Sequence, residues 1–297
     1  MMARCLVTGH KGYIGSHLIK KLGELGHEVI GIDIKNNHDV NSLQGLKESN
    51  DGKFHPFWAN FKPEYIFHMA CIPRVGYSIE NPVETMKNNV MAGSNVLNFA
   101  RKVGAKRVIY SSSSSIVGNG EGPTSPYALQ KLTTEIETKL YSELYDIDTV
   151  SLRYFNVYSK DQPADGPYAT AISNWMKYIA QDKTPFITGD GKQRRDMVHV
   201  DDVVSANIFA MEHEKNFGGK TFDIGTGKNI SLNEVVNIIH KHFPDVKFEK
   251  RPDRPGEVLL TKAETKDLKN LGWCATISIT DGINSCFEYL KENKQND

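Results

Sequence analysis

Apolar residues follow two spacings along the first half of the chain. Short runs of mostly branched apolar residues predict strands, and longer stretches with an apolar residue every three or four positions predict helices. Strand and helix alternate, which is typical of a parallel sheet, because parallel neighbours need a crossover connection. The predicted strands are 5–8, 29–33, 65–70, 107–111 and 149–157, and the predicted helices are 14–24, 83–103 and 126–144.

The pattern changes after residue 160. A polar segment with Pro and Gly runs to 166, a helix is predicted near 170–180, and a turn follows at 189–191. Further on, 201–211 and 231–242 have helical spacing and 220–224 has strand spacing. The fold class predicted is α/β, a doubly wound, Rossmann-like parallel sheet with a smaller α/β domain. We predict a first domain over 1–160, to which the chain returns at about 198–227, and a second domain from 161–197 and 228–297.

Composition excludes several classes of function. The 36 basic and 36 acidic residues balance, so no global field favours nucleic acid or an anionic membrane. No stretch approaches eighteen apolar residues, and the first strand begins too early for a signal sequence to precede it, so no membrane association is expected. Four cysteines without metal-ligand or redox spacing predict buried thiols, no metal site and a cytoplasmic location, and they are Cys5, Cys71, Cys274 and Cys286.

A glycine-rich loop follows the first predicted strand. Gly9, Gly12 and Gly15 let backbone approach a dinucleotide pyrophosphate at the start of a helix, where N–H groups are free. Asp33 ends the second predicted strand eighteen residues after Gly15, where a carboxylate accepts hydrogen bonds from the adenosine ribose. That carboxylate would repel a 2′-phosphate. The sequence therefore predicts NAD as the cofactor, rather than NADP.

A tyrosine and a lysine lie four residues apart, in Ser-Pro-Tyr-Ala-Leu-Gln-Lys. Pro126 suits the start of a helix, and the spacing places Tyr127 and Lys131 on one helical face. A neighbouring ammonium and a positively charged nicotinamide would both favour phenolate, which turns tyrosine into a usable base. The pair follows the run from Ser111 to Ser115 at the carboxyl end of the fourth predicted strand, where ligands of doubly wound sheets bind. A serine there can share a proton with the tyrosine.

Together these residues resemble the extended short-chain dehydrogenase/reductase family, in its nucleotide-sugar epimerase and dehydratase group. The resemblance covers nearly the whole chain. Besides the glycine loop and the Tyr-x-x-x-Lys pair, it is carried by Phe67-His68-Met69-Ala70, Arg153-Tyr154-Phe155-Asn156, the segment from Arg195 to Asp202, and Arg254-Pro255-Gly256-Glu257.

The resemblance implies roles for particular residues. Ser113, Tyr127 and Lys131 would be catalytic. Ala70 would line the nicotinamide side, Asp39 and Val40 would flank adenine, and Asn89 would support the central helix. The implied cofactor-binding set is Gly9, Gly12, Tyr13, Ile14, Gly15, Asp33, Asp39, Val40, Ala70, Asn89, Ser111, Tyr127, Lys131 and Tyr154, and the implied substrate-binding set is Ser113, Asn156, Arg195, Arg254 and Glu257.

The expected substrate is a nucleotide sugar, with a UDP-sugar favoured. Arg195 and Arg254 could clamp its diphosphate, and Asn156 could add an amide donor. Dehydratases and decarboxylases that resemble this chain carry an acid one or two places past the catalytic hydroxyl, where this chain has Ser114 and Ser115. The absence of an acidic residue at these two positions favours 4-epimerisation through a transient 4-keto sugar.

Two other functions remain open at this point. A nucleotide-sugar reductase or dehydrogenase with an exchangeable cofactor would use the same triad, and a non-catalytic NAD-binding protein would have no reason to keep it. The resemblance also implies a homodimer built on the helices near residues 83 and 126. Two segments are shorter than in typical relatives. The short segment 34–64 implies that one strand of the first domain is reduced or missing, and the short segment 118–126 implies that the substrate lid differs from that of relatives.

Overall fold

In a computed structural model, the structure describes residues 2–42, 44–118, 120–165, 169–252 and 259–296. These residues form two compact units, the first from 1–116, 123–153 and 204–222, and the second from 117–122, 154–203 and 223–297. The domain limits predicted from the sequence stay a prediction, because compactness does not tell which unit binds which ligand.

The first half of the chain contains the strands and helices of a layered α/β structure. Its elements are β1 (Arg4–Thr8), α1 (Tyr13–Glu24), β2 (Glu28–Ile32), α2 (Pro56–Phe61), β3 (Tyr65–His68), α3 (Val75–Glu80), α4 (Pro82–Met86), α5 (Ala92–Val103), β4 (Arg107–Ser113), α6 (Pro126–Leu144) and β5 (Asp148–Tyr154). The rest of the chain adds β6 (Asn156–Tyr158), α7 (Ala171–Ala180), β7 (Phe186–Thr188), β8 (Arg194–Arg195), β9 (Met197–His199), α8 (Val200–Glu212), β10 (Lys220–Ile224), β11 (Ile230–Ser231), α9 (Leu232–His242), β12 (Glu249–Arg251), α10 (Lys266–Asn270) and α11 (Ile279–Asn296).

Among the described residues, six strands form one sheet in the order β10-β5-β4-β3-β1-β2. β1 pairs in parallel with β2 and β3, and β3 pairs in parallel with β4. The order reverses after β1, which lies beside both β2 and β3, and helices connect the strands. This is the doubly wound, Rossmann-like sheet that the sequence predicts. Its carboxyl edge collects the residues that follow β1, β2, β3 and β4.

Two predicted elements differ from the structure. The predicted strand 149–157 is two strands, β5 and β6, which separate at Phe155 and join different sheets. The predicted helix 83–103 is interrupted by a π-helical turn at Lys87–Met91. Between β2 and β3, the described part of residues 34–64 holds a 3-10 turn at Ile34–Asn36 and the short α2, but no strand.

The core of the first unit lies where α5 covers the sheet. Ile66 and Val108 from the strands pack with Val96, Leu97 and Phe99 from α5, all buried. In the second unit, α7, α9 and α11 pack around a separate apolar core that includes Trp175, Val235 and Phe287.

The cysteines correct one expectation. Cys5 and Cys286 are buried, but Cys71 is half-buried and Cys274 is exposed, so the thiols are not all in the core. All four are unpaired. Among the described residues, none of the helices combines the length and apolar content that crossing a membrane requires.

Candidate active site

In the loop after β1, the backbone of Gly9 lies unusually close to that of Ala70, and the backbone of Gly15 lies close to that of Gly9. Gly9 has a φ of 71°, and a Cβ there would lie 2.7 Å from the backbone nitrogen of Ala70. A Cβ on Gly15 would lie 2.3 Å from the carbonyl oxygen of Gly9. Only glycine fits either position. Gly12 is the N-cap of α1, and glycine has no side chain to cap that end, so the helix start at Tyr13 and Ile14 fits the binding of an anion by backbone N–H groups.

Asp33 lies where β2 ends and holds the glycine loop. One carboxylate oxygen accepts the backbone N–H of Lys11 at 3.0 Å, and the other accepts that of Lys35 at 3.0 Å. The side chain is buried, and it fits a group that binds ribose hydroxyls beside the loop. Further along, Val40 packs in the apolar core, and the Asp39 carboxylate accepts the N–H of Asn41 at 2.9 Å.

Asn89 connects three segments around the π-helical turn. Its side-chain oxygen accepts the N–H of Ile72 at 2.7 Å, and its amide nitrogen donates to Gln130 of α6 at 2.8 Å and to the Ile72 carbonyl at 3.3 Å. The amide is thus fully used in fixing the loop after β3 against α6. In this structure Asn89 acts on the site through Ile72 and Gln130, and its expected support of the central helix and contact with the cofactor stay predictions.

The start of α6 is fixed by two serine hydroxyls. Ser125 is the N-cap and accepts the N–H of Ala128 at 3.2 Å. Ser78 of α3 accepts the N–H of Tyr127 at 3.0 Å. Both bonds satisfy donors that a helix start leaves free, and together they set the position of Tyr127.

Lys131 lies one turn further along α6, with its ammonium buried. Its Nζ donates to the carbonyl of Ser111 at 2.6 Å, and the Ser111 hydroxyl donates to the carbonyl of His68 at 2.9 Å. Nζ lies 5.9 Å from the ring centroid of Tyr127 and 5.0 Å from that of Tyr110. The ammonium is therefore held between the end of β4 and the phenol.

The electrostatics of Tyr127 differ from the expectation. Burial raises the pKa of Tyr127 to about 12, while the Lys131 ammonium and the Ser113 hydroxyl act to lower it. The neighbouring lysine has the predicted direction of effect, but burial outweighs it. Burial also lowers the pKa of His68 to about 3, with a smaller contribution from Lys131, so this imidazole is neutral.

A cavity of about 240 Å³ lies within the second unit. Two residues of the predicted substrate set, Asn156 and Arg195, line it. Arg195 donates to the Arg194 carbonyl at 3.1 Å, whereas the Arg194 guanidinium pairs with Glu234 at 2.7 Å. Other lining residues come from α7 and neighbouring strands, among them Thr170, Trp175, Tyr178, Phe186 and Gln193.

Asn156 differs from its expected use. Its amide nitrogen donates to the Asp196 carbonyl at 2.8 Å and lies 3.4 Å from the Thr261 hydroxyl oxygen. The donors expected for substrate are thus engaged, and the carbonyl oxygen is what this side chain offers to the cavity. Tyr154, predicted to contact cofactor, is buried at the end of β5. Arg254 and Glu257 lie outside the described residues.

A buried carboxylate shapes the loops around β8. Asp196 accepts four hydrogen bonds, from the N–H groups of Thr226, Gly227 and Ala263 and from the Thr226 hydroxyl, at 2.8 to 3.0 Å. Burial raises the pKa of this carboxyl, against which the hydrogen bonds act. Asp196 therefore holds two loops of the second unit together.

Sequence reasoning did not single out Ser78, Thr8 or Gln130. The Thr8 hydroxyl accepts a hydrogen bond from the N–H of Ala70 at 3.2 Å and lies 2.8 Å from Nδ1 of His68. The side-chain oxygen of Gln130 accepts a hydrogen bond from the Asn89 amide, and the Ser78 hydroxyl accepts one from the N–H of Tyr127. These residues are uncharged and belong to no spacing motif. Their partners are 41 to 62 positions away along the chain, so only the fold reveals them.

Comparisons with known proteins agree with this geometry. The model of the NAD-dependent epimerase/dehydratase family matches residues 5–225. A putative UDP-glucose 4-epimerase of Methanocaldococcus jannaschii is 34% identical, covering 98% of this chain and 99% of that protein. A UDP-N-acetylglucosamine 4-epimerase of Methanobrevibacter ruminantium, solved with UDP-N-acetylmuramic acid, has a TM-score of 0.86 at 25% identity, over 98% and 99% of the two chains.

A UDP-glucose 4-epimerase of Thermotoga maritima, solved with UDP-glucose, has a TM-score of 0.83 at 29% identity, again over 98% and 99%. The likeness extends over nearly the full length of each protein, as the motifs imply. The family, the Rossmann-like fold and the cofactor predicted from the sequence are thereby confirmed. The chain belongs to the NAD-dependent epimerase/dehydratase family, and NAD is its cofactor.

Proposed function

We propose that this protein is an NAD-dependent nucleotide-sugar 4-epimerase with a UDP-hexose as substrate, acting through a transient 4-keto sugar. The observation that carries the proposal is the placement of the half-buried Ser113 with the buried Tyr127 and Lys131 at the carboxyl edge of the sheet. The similar epimerases reported above support the reaction and the substrate class.

The glycine loop, Asp33 and Lys131 would hold NAD, which when bound accepts and returns a hydride and carries a positive charge on its nicotinamide. Tyr127 then acts as general base and takes the proton of the sugar 4-hydroxyl. Since burial raises the pKa of Tyr127 to about 12, Lys131 alone does not make phenolate abundant. The additional positive charge of the cofactor is needed, so the phenol becomes a base only in the loaded enzyme.

The substrate part of the proposal rests on the second unit. A UDP group carries a diphosphate, for which a guanidinium is the preferred partner, and Arg195 lines a cavity of about 240 Å³. We propose that Arg195 and Arg254 bind the diphosphate, with Glu257 and the Asn156 carbonyl accepting hydrogen bonds from hydroxyl or imide groups.

Chemistry at the end of β4 separates epimerisation from elimination. Ser114 and Ser115 occupy the positions at which similar dehydratases carry an acid, and a hydroxyl cannot protonate a leaving hydroxide as a carboxylic acid does. The second candidate, a reductase or dehydrogenase, uses the same residues but exchanges its cofactor at every turnover. A catalytically silent NAD-binding protein is disfavoured by the complete triad.

The test is to denature purified protein, identify any released nucleotide, and incubate fresh enzyme with UDP-, dTDP- and GDP-sugars. We expect retained NAD, inversion at carbon 4 of a UDP-sugar, and no net change in cofactor redox state. Stoichiometric formation of NADH with each turnover would establish the dehydrogenase instead. Release of water from the sugar would establish a dehydratase.

We also propose a homodimer. Leu129, Ile136, Leu140 and Leu144 form one apolar stripe on α6, and each is 45% to 69% exposed. Val83 on α4 is 82% exposed, and α4 packs against α6. Exposed apolar side chains on two helices that pack together indicate a protein interface. The unpaired thiols suit a reducing compartment, and we keep a cytoplasmic location as a proposal on that basis.

Replacing Ile136 by Glu should convert the dimer to a monomer, because a charge would be buried without a partner. Sedimentation velocity of the loaded enzyme measures this. Leu25→Glu is the matched control, since Leu25 is 47% exposed but lies outside the stripe. A wild-type protein that sediments as a monomer at all accessible concentrations would remove the dimer proposal.

A further inference from the structure

Ser113 is surrounded by donors from its own chain. It ends β4, and the following 3-10 turn at Ser114–Ile116 brings Ser115 back toward it. The backbone N–H of Ser115 donates to the Ser113 hydroxyl oxygen at 3.2 Å, and the Ser115 hydroxyl donates to the same oxygen at 2.9 Å. All atoms involved belong to the first unit.

A serine hydroxyl has one hydrogen and two lone pairs. The two bonds from Ser115 use both lone pairs of Ser113, so Ser113 can make its remaining hydrogen bond only as a donor. The group in reach of that hydrogen is the phenol of Tyr127, because the Ser113 hydroxyl acts to lower the pKa of this phenol. A hydroxyl that itself accepts two hydrogen bonds is also a stronger donor, because hydrogen bonds in a chain polarise one another.

We propose that Ser115 is a positioning residue that fixes Ser113 as a hydrogen-bond donor, to Tyr127 before proton transfer and to the reacting sugar oxygen after it. The proposal rests on the proposed function and deepens it. It assigns the proton transfer: the proton of the sugar 4-hydroxyl passes directly to the Tyr127 oxygen, and Ser113 does not relay it.

The direction of the bond suits each stage of that reaction. Before transfer, Ser113 donates to the Tyr127 phenolate and lowers the cost of ionising it. When the sugar O–H bond breaks, its proton goes to Tyr127 and its electron pair forms the C4 carbonyl, while the hydrogen on C4 leaves with the C–H electron pair as a hydride that bound NAD would accept. The new carbonyl oxygen is an acceptor only, so Ser113 keeps its proton throughout and can donate to it.

The test compares Ser115→Ala, Ser115→Thr and, as control, Ser114→Ala in the NAD-loaded enzyme. Loss of one hydrogen bond to Ser113 is worth about 0.5 to 1.5 kcal/mol, which corresponds to a loss in kcat at neutral pH of roughly twofold to tenfold. The limb of the kcat–pH profile that reports Tyr127 ionisation should move to higher pH by roughly half a unit to one unit. Ser115→Thr keeps the hydroxyl, so its kcat and the pH of this limb should equal those of the wild type. Ser114→Ala should change neither kcat nor the pH of the limb. KM should stay unchanged.

A second readout does not depend on turnover. The ultraviolet absorbance of phenolate, measured against pH, gives the ionisation of Tyr127 as the difference between each protein and its Tyr127→Phe counterpart. Ser115→Ala should raise the pH of that titration, and Ser115→Thr should not. If no sugar is epimerised, the proposed function fails, yet this titration still tests Ser115. An unchanged titration in Ser115→Ala, or a loss of kcat that threonine does not restore, overturns the proposal.

Discussion

Tyr127 is placed at the first turn of α6 with its phenol buried, and its ionisation is opposed by burial and favoured by Lys131 and Ser113. Tyr127→Phe removes only the proton acceptor, so kcat should fall by about a hundredfold or more, with NAD and UDP affinity unchanged. Steady-state kinetics and titration calorimetry measure the two effects. Tyr141→Phe on the same helix is the control and should leave kcat and both affinities unchanged. A phenylalanine variant with more than roughly a tenth of the wild-type rate contradicts the assignment.

Asp33 has two separable effects, because its carboxylate carries charge and also holds the N–H groups of Lys11 and Lys35. Asp33→Ala removes both, and NAD affinity should fall by roughly tenfold to a hundredfold, in line with hydrogen bonds to a charged group. Asp33→Asn keeps an oxygen for the loop but removes the charge, so its main effect should be a smaller preference for NAD over NADP. Calorimetry with both dinucleotides distinguishes these outcomes. If the unmodified protein binds NADP more tightly, Asp33 does not select the cofactor.

At the level of secondary-structure elements, the start of α6 depends on a serine from another helix. Ser125→Ala removes a local cap and should lower the free energy of unfolding by about 1 kcal/mol. Ser78→Ala leaves the buried N–H of Tyr127 without a partner, so its cost should be on the order of 1 to 3 kcal/mol, and kcat should fall as well because Tyr127 loses its anchor.

Urea unfolding and kinetics on the same preparations test the two caps. Thr133→Ala is the control on α6, since the Thr133 hydroxyl bonds only the Leu129 carbonyl within the helix. Its effect should stay within about 0.5 kcal/mol. Ser78→Ala with the stability and kcat of this control would show that the contact between α3 and α6 does not position Tyr127.

At the level of the whole molecule, we propose that NAD binds to residues of the first unit and the substrate diphosphate to residues of the second, so the two affinities should respond to different substitutions. Arg195→Ala or Arg254→Ala should weaken UDP by on the order of 2 to 5 kcal/mol, or about 30-fold or more, because a diphosphate loses a charged partner. NAD affinity should not change. Arg194→Ala is the matched neighbour, since Arg194 pairs with Glu234. Calorimetry with UDP and NAD tests this, and unchanged UDP binding in both arginine variants removes the diphosphate assignment.

Sequence patterns predicted the features that depend on neighbours close along the chain. The alternation of strands and helices fixed the sheet class, and the glycine spacing identified a loop in which two Cβ atoms would collide with backbone. Tyr127 and Lys131 lie on one helical face because four residues make about one turn. Cofactor and family followed from these motifs, and both are confirmed.

Tertiary structure decided what depends on distant neighbours. The break at Phe155 between β5 and β6 has no local signal, because each half forms strand with a different partner. The pKa of Tyr127 depends on burial, which a sequence motif does not reveal. The spacing of four residues therefore predicted that Lys131 lowers this pKa, but not that burial raises it by more. Likewise, the Asn156 amide donates to the carbonyl of Asp196, forty positions away, and to the hydroxyl of Thr261. Ser115 acts on Ser113 only because a 3-10 turn folds it back. Local spacing determines which side chains share one face of an element. Packing determines their protonation state and the direction of their hydrogen bonds.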